Sequence, residues 1–310
     1  MAENLVDTLA NEFNEAYQNP DCSVGLAVIR VLTKLVVESK ATTFMGVEQD
    51  VSNLQKAIQK KCPKLPLHFT GAAQVFRAGL SKASEALITD WKKVFARHAN
   101  QCLSDAEKVI SLIPKHSDRF LQHGMTIMTR GYDPMVFAAL SEAATQGRKF
   151  HVLITEGKPL GDGVTLANNL RKRFPHLRIT VIPDSAVGLM MNETDAVLLG
   201  TDLVLEDGGL LAPVGTYTMS VIASIHRKPV YCMCETFKFN RKFILSTSDL
   251  TSMQRKVKYE IDGLDDMSID WDAREFDFTP AKFVTLLITE KGPMPPSAVT
   301  YELTKLLGVS

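Results

Sequence analysis

The sequence lacks several features that would assign it at once to a broad class. Its 310 residues contain no unbroken apolar run of the ~18 residues that a membrane-spanning helix needs. The 35 basic and 35 acidic side chains give a formal net charge of zero, without the basic excess of a nucleic-acid-binding protein. Its five cysteines are odd in number and mostly scattered, unlike a disulfide framework. We therefore expect a soluble cytoplasmic protein with free thiols that binds neither membranes nor nucleic acid.

The short motifs of several enzyme classes are also missing. The GDG tripeptide at 161–163 and the pair Gly208-Gly209 form neither a G-x-G-x-x-G fingerprint nor a P-loop, so we expect no nucleotide cofactor. No G-x-S-x-G elbow is present. The seven histidines show no metal-ligand spacing with the cysteines, which predicts that there is no metal site. Cys232 and Cys234 fall in a predicted strand, so their side chains are expected to face opposite ways.

Residues 1–118 have the apolar spacing of amphipathic helices. Leu5, Leu9 and Phe13 recur at the interval that places them on one helix face. No strand-like alternation interrupts this part, and Pro114 is expected to end its last helix. We therefore predict a helical domain over residues 1–118. The predicted helices cover about 5–16, 26–36, 43–60, 72–87 and 90–113.

From residue 124, short β-branched and apolar runs alternate with helical stretches. Such alternation predicts βαβ units and a parallel sheet, and near-continuous apolar runs are typical of strands covered on both faces. We therefore predict an α/β domain over 119–310, an open parallel sheet with helices on both faces. Residues 240–280 are polar and break the alternation, so we expect an irregular segment that is functional, mobile or an interface arm. The predicted strands are Met125–Thr129, His151–Thr155, Ile179–Ile182, Ala196–Leu199, Val230–Cys234 and Phe283–Thr289.

The segment 196–217 carries the strongest functional signal. An apolar strand runs into Asp202, an Asp-Gly-Gly turn follows, and Gly215 opens a helical stretch. In an open parallel sheet, ligands bind beyond the carboxyl ends of the strands, and a helix N-terminus favours an anion such as a phosphate. Polar residues also follow the other predicted strands. The candidate ligand pocket comprises Arg130, Glu156, Lys158, Asp184, Asp202, Gly208, Gly209 and Lys238.

Several longer motifs carry a resemblance to a known family. They are IMTRGY (127–132), LITEGKP (153–159), VIPDSAVG (181–188), LGTDLVLEDGGLLAPVGTY (199–217), KPVYCMCETFKF (228–239) and FTPAKFVTLLITEKGPMPPSAVTYELTKL (278–306). On these motifs the chain resembles the alpha-subunit branch of the initiation factor 2B alpha/beta/delta family. That family is related to methylthioribose-1-phosphate and ribose-1,5-bisphosphate isomerases. The resemblance covers nearly the whole chain and implies a Rossmann-like sheet after the helical domain.

The resemblance also implies that the chain is not an enzyme. The isomerases have a catalytic cysteine at the position of Gly131 and a catalytic aspartate at that of Gly209, and glycine supplies neither acid nor base. Lys158 stands where the family often has arginine, and Pro134 replaces another arginine, so a bidentate phosphate clamp is lost. Two alternatives stay open: an aldose–ketose isomerase of ribose-phosphate type that uses other residues, and a metabolite-binding sensor.

By the same resemblance, we expect a regulatory subunit of the guanine-nucleotide exchange complex for initiation factor 2. The expected partners are a second copy of the chain, the beta, gamma, delta and epsilon subunits that this homodimer bridges, and the phosphorylated alpha subunit of initiation factor 2. A sugar phosphate is a further candidate ligand. The apolar tail residues Leu303, Leu306 and Leu307 favour a dimer through the C-terminal domain.

A candidate partner-binding surface lies in the helical half. Thr43 and Gly46 sit at a predicted helix start, where free N–H groups favour acidic or phosphorylated groups. Arg77 offers a fork for phosphate or carboxylate. The alternative is that Thr43 only caps its helix and that Arg77 pairs within the chain.

Overall fold

The first part of the chain is helical. The computed structural model describes residues 2–18, 23–62, 71–74, 76–78, 91–242 and 274–307. The helices are α1 (Ala2–Gln18), α2 (Val24–Glu38), α3 (Phe44–Lys61) and α4 (Trp91–Ser117), and residues 71–74 and 76–78 are also helical. Helix α2 is the most apolar of them and packs against both α1 and α4, which buries most of its side chains. Within the described ranges, no helix combines the length and the apolar character needed to cross a membrane.

Helix α4 continues through Pro114, so the predicted end at this residue is wrong. A proline inside a helix loses one backbone hydrogen bond and crowds the carbonyl of the preceding turn. Here that cost falls on the last turn only, because the helix ends at Ser117. The Ser117 hydroxyl donates a hydrogen bond of 2.6 Å to the carbonyl of Pro114, which satisfies one of the acceptors at this end.

The second part alternates strands and helices, as the sequence predicts. Its described helices are α5 (Pro134–Thr145), α6 (Gly163–Arg173), α7 (Val187–Met190), α8 (Thr216–Ile225) and α9 (Val299–Leu307). Its described strands are β1 (Thr126–Arg130), β2 (His151–Thr155), β3 (Arg178–Ile182), β4 (Ala196–Gly200), β5 (Leu203–Leu205), β6 (Leu210–Pro213), β7 (Val230–Met233), β8 (Phe239–Asn240), β9 (Phe276–Thr279), β10 (Leu286–Thr289) and β11 (Gly292–Met294).

The main sheet has the order β11-β10-β7-β4-β1-β2-β3. All neighbouring pairs are parallel except β10 with the edge strand β11. Strand β1 pairs with both β2 and β4, so the order of the strands reverses between β1 and β4. A reversal of this kind opens a crevice at the carboxyl ends of the two strands, which is where ligands bind in open α/β sheets.

Both faces of the main sheet are covered, which confirms the predicted fold class. Ile127 packs into the apolar core shared with the helical half, whereas its neighbour Met128 packs into a second cluster with Met219 and Ala223 of α8. Helix α4 also contacts α5 and β10. The parts predicted as two domains, 1–118 and 119–310, thus share one continuous core, and their division into domains stays a prediction.

A second, smaller sheet of order β8-β5-β6-β9 was not predicted. Strands β5 and β6 form a hairpin around the predicted Asp-Gly-Gly turn, in a part of the segment 196–217 where we predicted no strand. Strand β9 lies in the segment 240–280 that we predicted to be irregular, and this part of the prediction is wrong because residues 276–279 pair with β6. Residues 243–273 of that segment lie outside the described residues.

Two expectations about buried side chains also need correction. Cys232 and Cys234 do not face opposite ways: both lie in one apolar cluster, and their thiols are hydrogen-bonded. Alternation along a strand places residues two apart on the same face, so the expectation that these two side chains face opposite ways was wrong. Leu303 is buried in the same cluster and Leu306 packs against it. These tail residues therefore stabilise the chain's own core, and they no longer support a dimer surface.

Candidate functional site

A small cavity lies at the reversal of strand order, beyond the carboxyl ends of β1 and β4. Its volume is about 40 Å³. This is the position that the strand-end residues predict, and it holds two of the predicted pocket residues, Arg130 and Asp202. The lining consists of Arg130, Tyr132, Asp133, Leu199, Gly200, Thr201, Asp202, Pro213 and Thr216.

Arg130 lines this cavity and is almost fully buried. Its Nη2 donates a hydrogen bond of 3.3 Å to the carbonyl of Lys158, and its Nη1 lies 4.0 Å from Asp162 Oδ2. Among the described residues, Nε and Nη1 find no hydrogen-bond acceptor. A buried donor without an acceptor is costly, so the guanidinium retains the capacity to bind an acceptor that enters the cavity.

Four side chains beneath the cavity form what we call the buried charge cluster: Ser23, Asp133, Glu235 and Lys238. Lys238 Nζ lies 2.9 Å from Glu235 Oε2 and 3.9 Å from Asp133 Oδ2. The Ser23 hydroxyl, just before α2, donates a hydrogen bond of 2.5 Å to Glu235 Oε1. Asp133 also caps α5 by accepting hydrogen bonds from the N–H groups of its first turn. The cluster thus ties the helical half to the edge of the sheet.

The pKa values of the cluster reflect burial opposed by pairing. Burial raises the pKa of Asp133 to about 6, although the charge of Lys238 acts to lower it. Burial acts in the same direction on Glu235, but Lys238 and the Ser23 hydroxyl keep the pKa of this carboxyl below its usual value. Burial would lower the pKa of Lys238, yet Glu235 and Asp133 raise it well above its usual value. Lys238 is therefore charged and held in place as a structural cation.

The N-terminus of α8 is occupied by a carboxylate of the chain itself. Gly215 has a φ of 103°, which turns its N–H toward Asp277 Oδ2 at 2.7 Å, and the N–H of Tyr217 donates to the same oxygen at 3.0 Å. Burial raises the pKa of Asp277 to about 6, against the opposing effect of these hydrogen bonds. The predicted preference for an anion is correct, but the anion is Asp277, and the phosphate suggested for this helix end has no free place there.

The other predicted pocket residues lie away from the cavity lining. Glu156 is half-buried, and the Lys158 side chain is exposed, with only its carbonyl directed to Arg130. The Asp184 carboxylate accepts hydrogen bonds from the backbone of Gly157 and Lys158 and so stabilises their loop. Gly208 packs against Pro296 and Gly209 against Phe278, on the hairpin of the small sheet. Lys238 does not line the cavity, but it pairs with Asp133, which does.

The two positions where the resemblance places catalytic side chains are closely packed. Gly131 has a φ of 62°, and a Cβ added there would lie 2.7 Å from Asp162 Oδ1. A Cβ added at Gly209 would lie 2.6 Å from the ring of Phe278. Neither position could carry a side chain without movement of its surroundings.

The charge around the cavity is predominantly acidic. Asp202 and Asp133 both interact with Lys238, and Asp162 and Asp277 both interact with Arg130. A phosphate dianion would add negative charge to a region that already has more carboxylates than cations. The site is better suited to hydroxyl or carbonyl groups that accept from Arg130 or donate to Asp202. Within the described ranges, no three His, Cys, Asp or Glu side chains are grouped so that they could hold a metal ion.

In the helical half, the structure shows the local contacts that we considered as the alternative to partner binding. The Thr43 hydroxyl accepts a hydrogen bond of 3.1 Å from the N–H of Gly46 and caps α3. Arg77 Nε lies 3.5 Å from Glu48 Oε2. Met45, in the first turn of the same helix, is 75% exposed. The surface therefore has an unexpected apolar side chain beside the predicted polar ones.

The fold and site together define a class: an α/β protein with a helical N-terminal part and a pocket at the reversal of its parallel sheet. The sequence matches the initiation factor 2 subunit family over residues 18–296, and the chain belongs to this family.

Comparison with individual proteins agrees with this family. The chain is 28% identical to "Translation initiation factor eIF2B subunit alpha" of Dictyostelium discoideum, with 97% of each chain aligned. It is 29% identical to the protein of that name from Caenorhabditis elegans, over 97% of this chain and 98% of the relative. It is also 29% identical to a ribose 1,5-bisphosphate isomerase of Methanocaldococcus jannaschii, over 70% of each chain.

Solved structures support the fold. A chain of the tetrameric eIF2B-beta2-delta2 complex from C. thermophilum superposes with a TM-score of 0.77 at 17% identity, covering 99% of this chain and 95% of its own. Pyrococcus horikoshii OT3 translation initiation factor eIF-2B gives a TM-score of 0.66 at 21% identity, covering 92% and 97%. At these sequence identities, the structural similarity establishes the fold of this chain.

Proposed function

We propose that the protein is a non-catalytic regulatory subunit of the exchange complex that acts on translation initiation factor 2 in the cytoplasm. The observation that carries this proposal is the likeness to two alpha subunits of initiation factor 2B over nearly their full lengths. The partners in this proposal are a second copy of the chain, the beta, gamma, delta and epsilon subunits, and initiation factor 2 phosphorylated on its alpha subunit.

The geometry of the sheet edge supports the non-catalytic part of the proposal. Proton transfer in a sugar isomerase needs an acid and a base near the substrate. Gly131 and Gly209 have no room for such groups, and Asp277 fills the helix end that would hold a phosphate. The likeness to a ribose 1,5-bisphosphate isomerase, together with the open donors of Arg130, favours a second candidate: an isomerase or a metabolite sensor that uses this cavity.

An exposed apolar patch supports the homodimer. Leu189 of α7 is 77% exposed and Ile225 of α8 is 73% exposed, and the two helices contact each other. Large apolar side chains that lie together at the surface are typical of protein interfaces. In the proposed dimer a second copy covers this patch across a two-fold axis, the commonest symmetry of soluble oligomers.

The start of α3 supports the contact with the phosphorylated partner. Thr43 satisfies one N–H of the first turn, while the positive end of the helix dipole still points outward. The exposed Met45 supplies apolar area next to it. In this proposal, an acidic or phosphorylated segment of the partner binds against this helix end, and the exchange reaction itself belongs to another subunit.

Affinity purification tests the proposal. The tagged full-length chain is expressed in its native cells and recovered under mild salt, and the recovered proteins are identified by mass spectrometry. The expected result is co-purification of the four other subunits of initiation factor 2B. Recovery of the chain without them, combined with conversion of ribose 1,5-bisphosphate to a ketose, would support the isomerase instead.

A further inference from the structure

A second, larger cavity lies where α2 and α4 meet the carboxyl ends of β7 and β10. Its volume is about 320 Å³, compared with about 40 Å³ for the cavity at the reversal of the sheet. Pockets of this size hold small organic molecules. None of its lining residues belongs to the candidate pocket predicted from the sequence. Thr236 and Phe237, which line it, lie between Glu235 and Lys238 of the buried charge cluster in sequence.

The walls of this larger cavity are mainly apolar. Ile29 of α2, Val109 of α4, Phe76, Phe237 and Leu306 of α9 all line it. These side chains come from both the helical half and the α/β part. An apolar molecule that fills the cavity would be removed from water on several sides, which is favourable by about 25 cal/mol per Å² of apolar area.

Two carboxylates line this cavity: Asp105 is exposed, and Glu290 is half-buried. The backbone N–H of Thr236 donates to Glu290 Oε2 at 3.2 Å, and the Thr236 hydroxyl donates to Oε1. Each carboxylate oxygen can accept a further hydrogen bond. The next residue, Lys291, also lines the cavity, but its charge is paired with Glu302, whose Oε2 lies 2.5 Å from Lys291 Nζ. In the part of the chain that the structure describes, Glu290 forms no ion pair with a basic side chain.

We propose that this cavity binds a small organic amine, with its apolar body against Phe76 and Phe237 and its ammonium group on the carboxylate of Glu290. Glu290 is half-buried, and removing a charge from water is costly unless an opposite charge accompanies it; the ligand's ammonium supplies that charge. The charge of the second carboxylate, Asp105, is already compensated by Lys108, whose Nζ lies 3.2 Å from its Oδ1. A neutral isostere loses this pairing, and an anionic one is repelled. The inference does not depend on the role in translation proposed above.

The test compares three probes of one shape on the full-length protein: tryptamine, the neutral indole-3-ethanol and the anionic indole-3-propionate. Isothermal titration is expected to give the tightest binding for tryptamine, at least tenfold weaker binding for the alcohol, and none for the acid. Glu290→Gln is expected to weaken the binding of tryptamine at least tenfold and to leave the affinity for indole-3-ethanol unchanged. Glu107→Gln, on the outer side of α4 where Glu107 pairs with Arg30, is the matched control and should change neither.

A second readout locates the probe and does not depend on any variant. Cys102 lines the cavity and is a free, partly exposed thiol. Bound tryptamine is expected to slow the labelling of Cys102 by N-ethylmaleimide, followed by mass spectrometry of its peptide. Equal affinity for tryptamine and the alcohol, or unchanged labelling of Cys102 at saturating tryptamine, would overturn the proposal. So would the absence of measurable tryptamine binding to the wild type.

Discussion

The buried charge cluster allows a direct test of how the two halves of the chain are held together. Lys238→Met keeps most of the apolar stem but removes the charge that lies 2.9 Å from Glu235 and 3.9 Å from Asp133. Glu235 is then left buried with the Ser23 hydroxyl as its remaining side-chain donor. Breaking a buried ion pair in this way costs about 3–5 kcal/mol, because the remaining charge is not compensated.

A loss of this size should be visible in thermal unfolding. At roughly 2 °C per kcal/mol for a chain this long, we expect Lys238→Met to lower Tm by roughly 6–10 °C at pH 7. Lys158→Met is the matched control, since the Lys158 side chain is exposed at the same sheet edge, and it should change Tm little. Adding Glu235→Gln to Lys238→Met should recover part of the loss, because one uncompensated carboxylate is removed.

The pH dependence of this loss has a definite sign. The pKa of Asp133 is already raised to about 6, and removal of the nearby Lys238 charge raises it further. A carboxyl whose pKa is raised on folding costs stability above that pKa, and the cost disappears as the pH falls through it. The difference in Tm between wild type and Lys238→Met should therefore narrow from pH 7 to pH 5. A fall in Tm of less than 2 °C at pH 7, or a difference that widens on acidification, would refute this account of the cluster.

Other predictions follow from the remaining features. Leu189→Lys should shift the sedimentation coefficient toward that of the monomer. Val37→Lys should leave the coefficient unchanged, because it alters an exposed apolar position of the helical half. Thr43→Lys should weaken binding of the assembled complex to phosphorylated initiation factor 2 without loss of assembly, and Thr43→Ser, which keeps the cap, should bind normally. Because the pKa of Asp277 is raised to about 6, lowering the pH from 7 to 5 should increase the free energy of unfolding of wild type by about 1 kcal/mol relative to that of Asp277→Asn. Urea unfolding at each pH measures this difference. Neither wild type nor Asp202→Ala should convert ribose 1,5-bisphosphate; steady turnover by wild type would contradict the non-catalytic assignment.

The central strands of the main sheet could be predicted because β1, β2, β4, β7 and β10 are largely buried, whereas the exposed edge strand β11 was not predicted. The run His151–Thr155 has three consecutive apolar residues at its centre, and the structure places a strand at those residues. The small sheet lacked this signal. Strands β5 and β8 have three and two residues, and β9 reaches its partner β6 from more than 60 residues away in sequence. Short strands that depend on distant partners carry little local periodicity.

Only part of the site could be predicted, for a related reason. Arg130 directly follows one predicted strand and Asp202 lies three residues after the end of another, so their convergence depends mainly on the topology of the sheet. Asp133 also follows a strand, and its place before Pro134 is a helix-capping signal that we did not use. Asp277 could not be found in this way, because it reaches the start of α8 from 62 residues away. Such a contact requires knowledge of the tertiary structure.

Nucleotide exchange in a reconstituted complex tests the central claim most directly. Release of labelled GDP from initiation factor 2 is measured with the complete complex and with a complex that lacks this chain, in the presence and absence of initiation factor 2 phosphorylated on its alpha subunit. A regulatory, non-catalytic subunit predicts that omission preserves exchange and abolishes the inhibition by the phosphorylated factor. Loss of exchange on omission, or inhibition that persists without the chain, would contradict that claim.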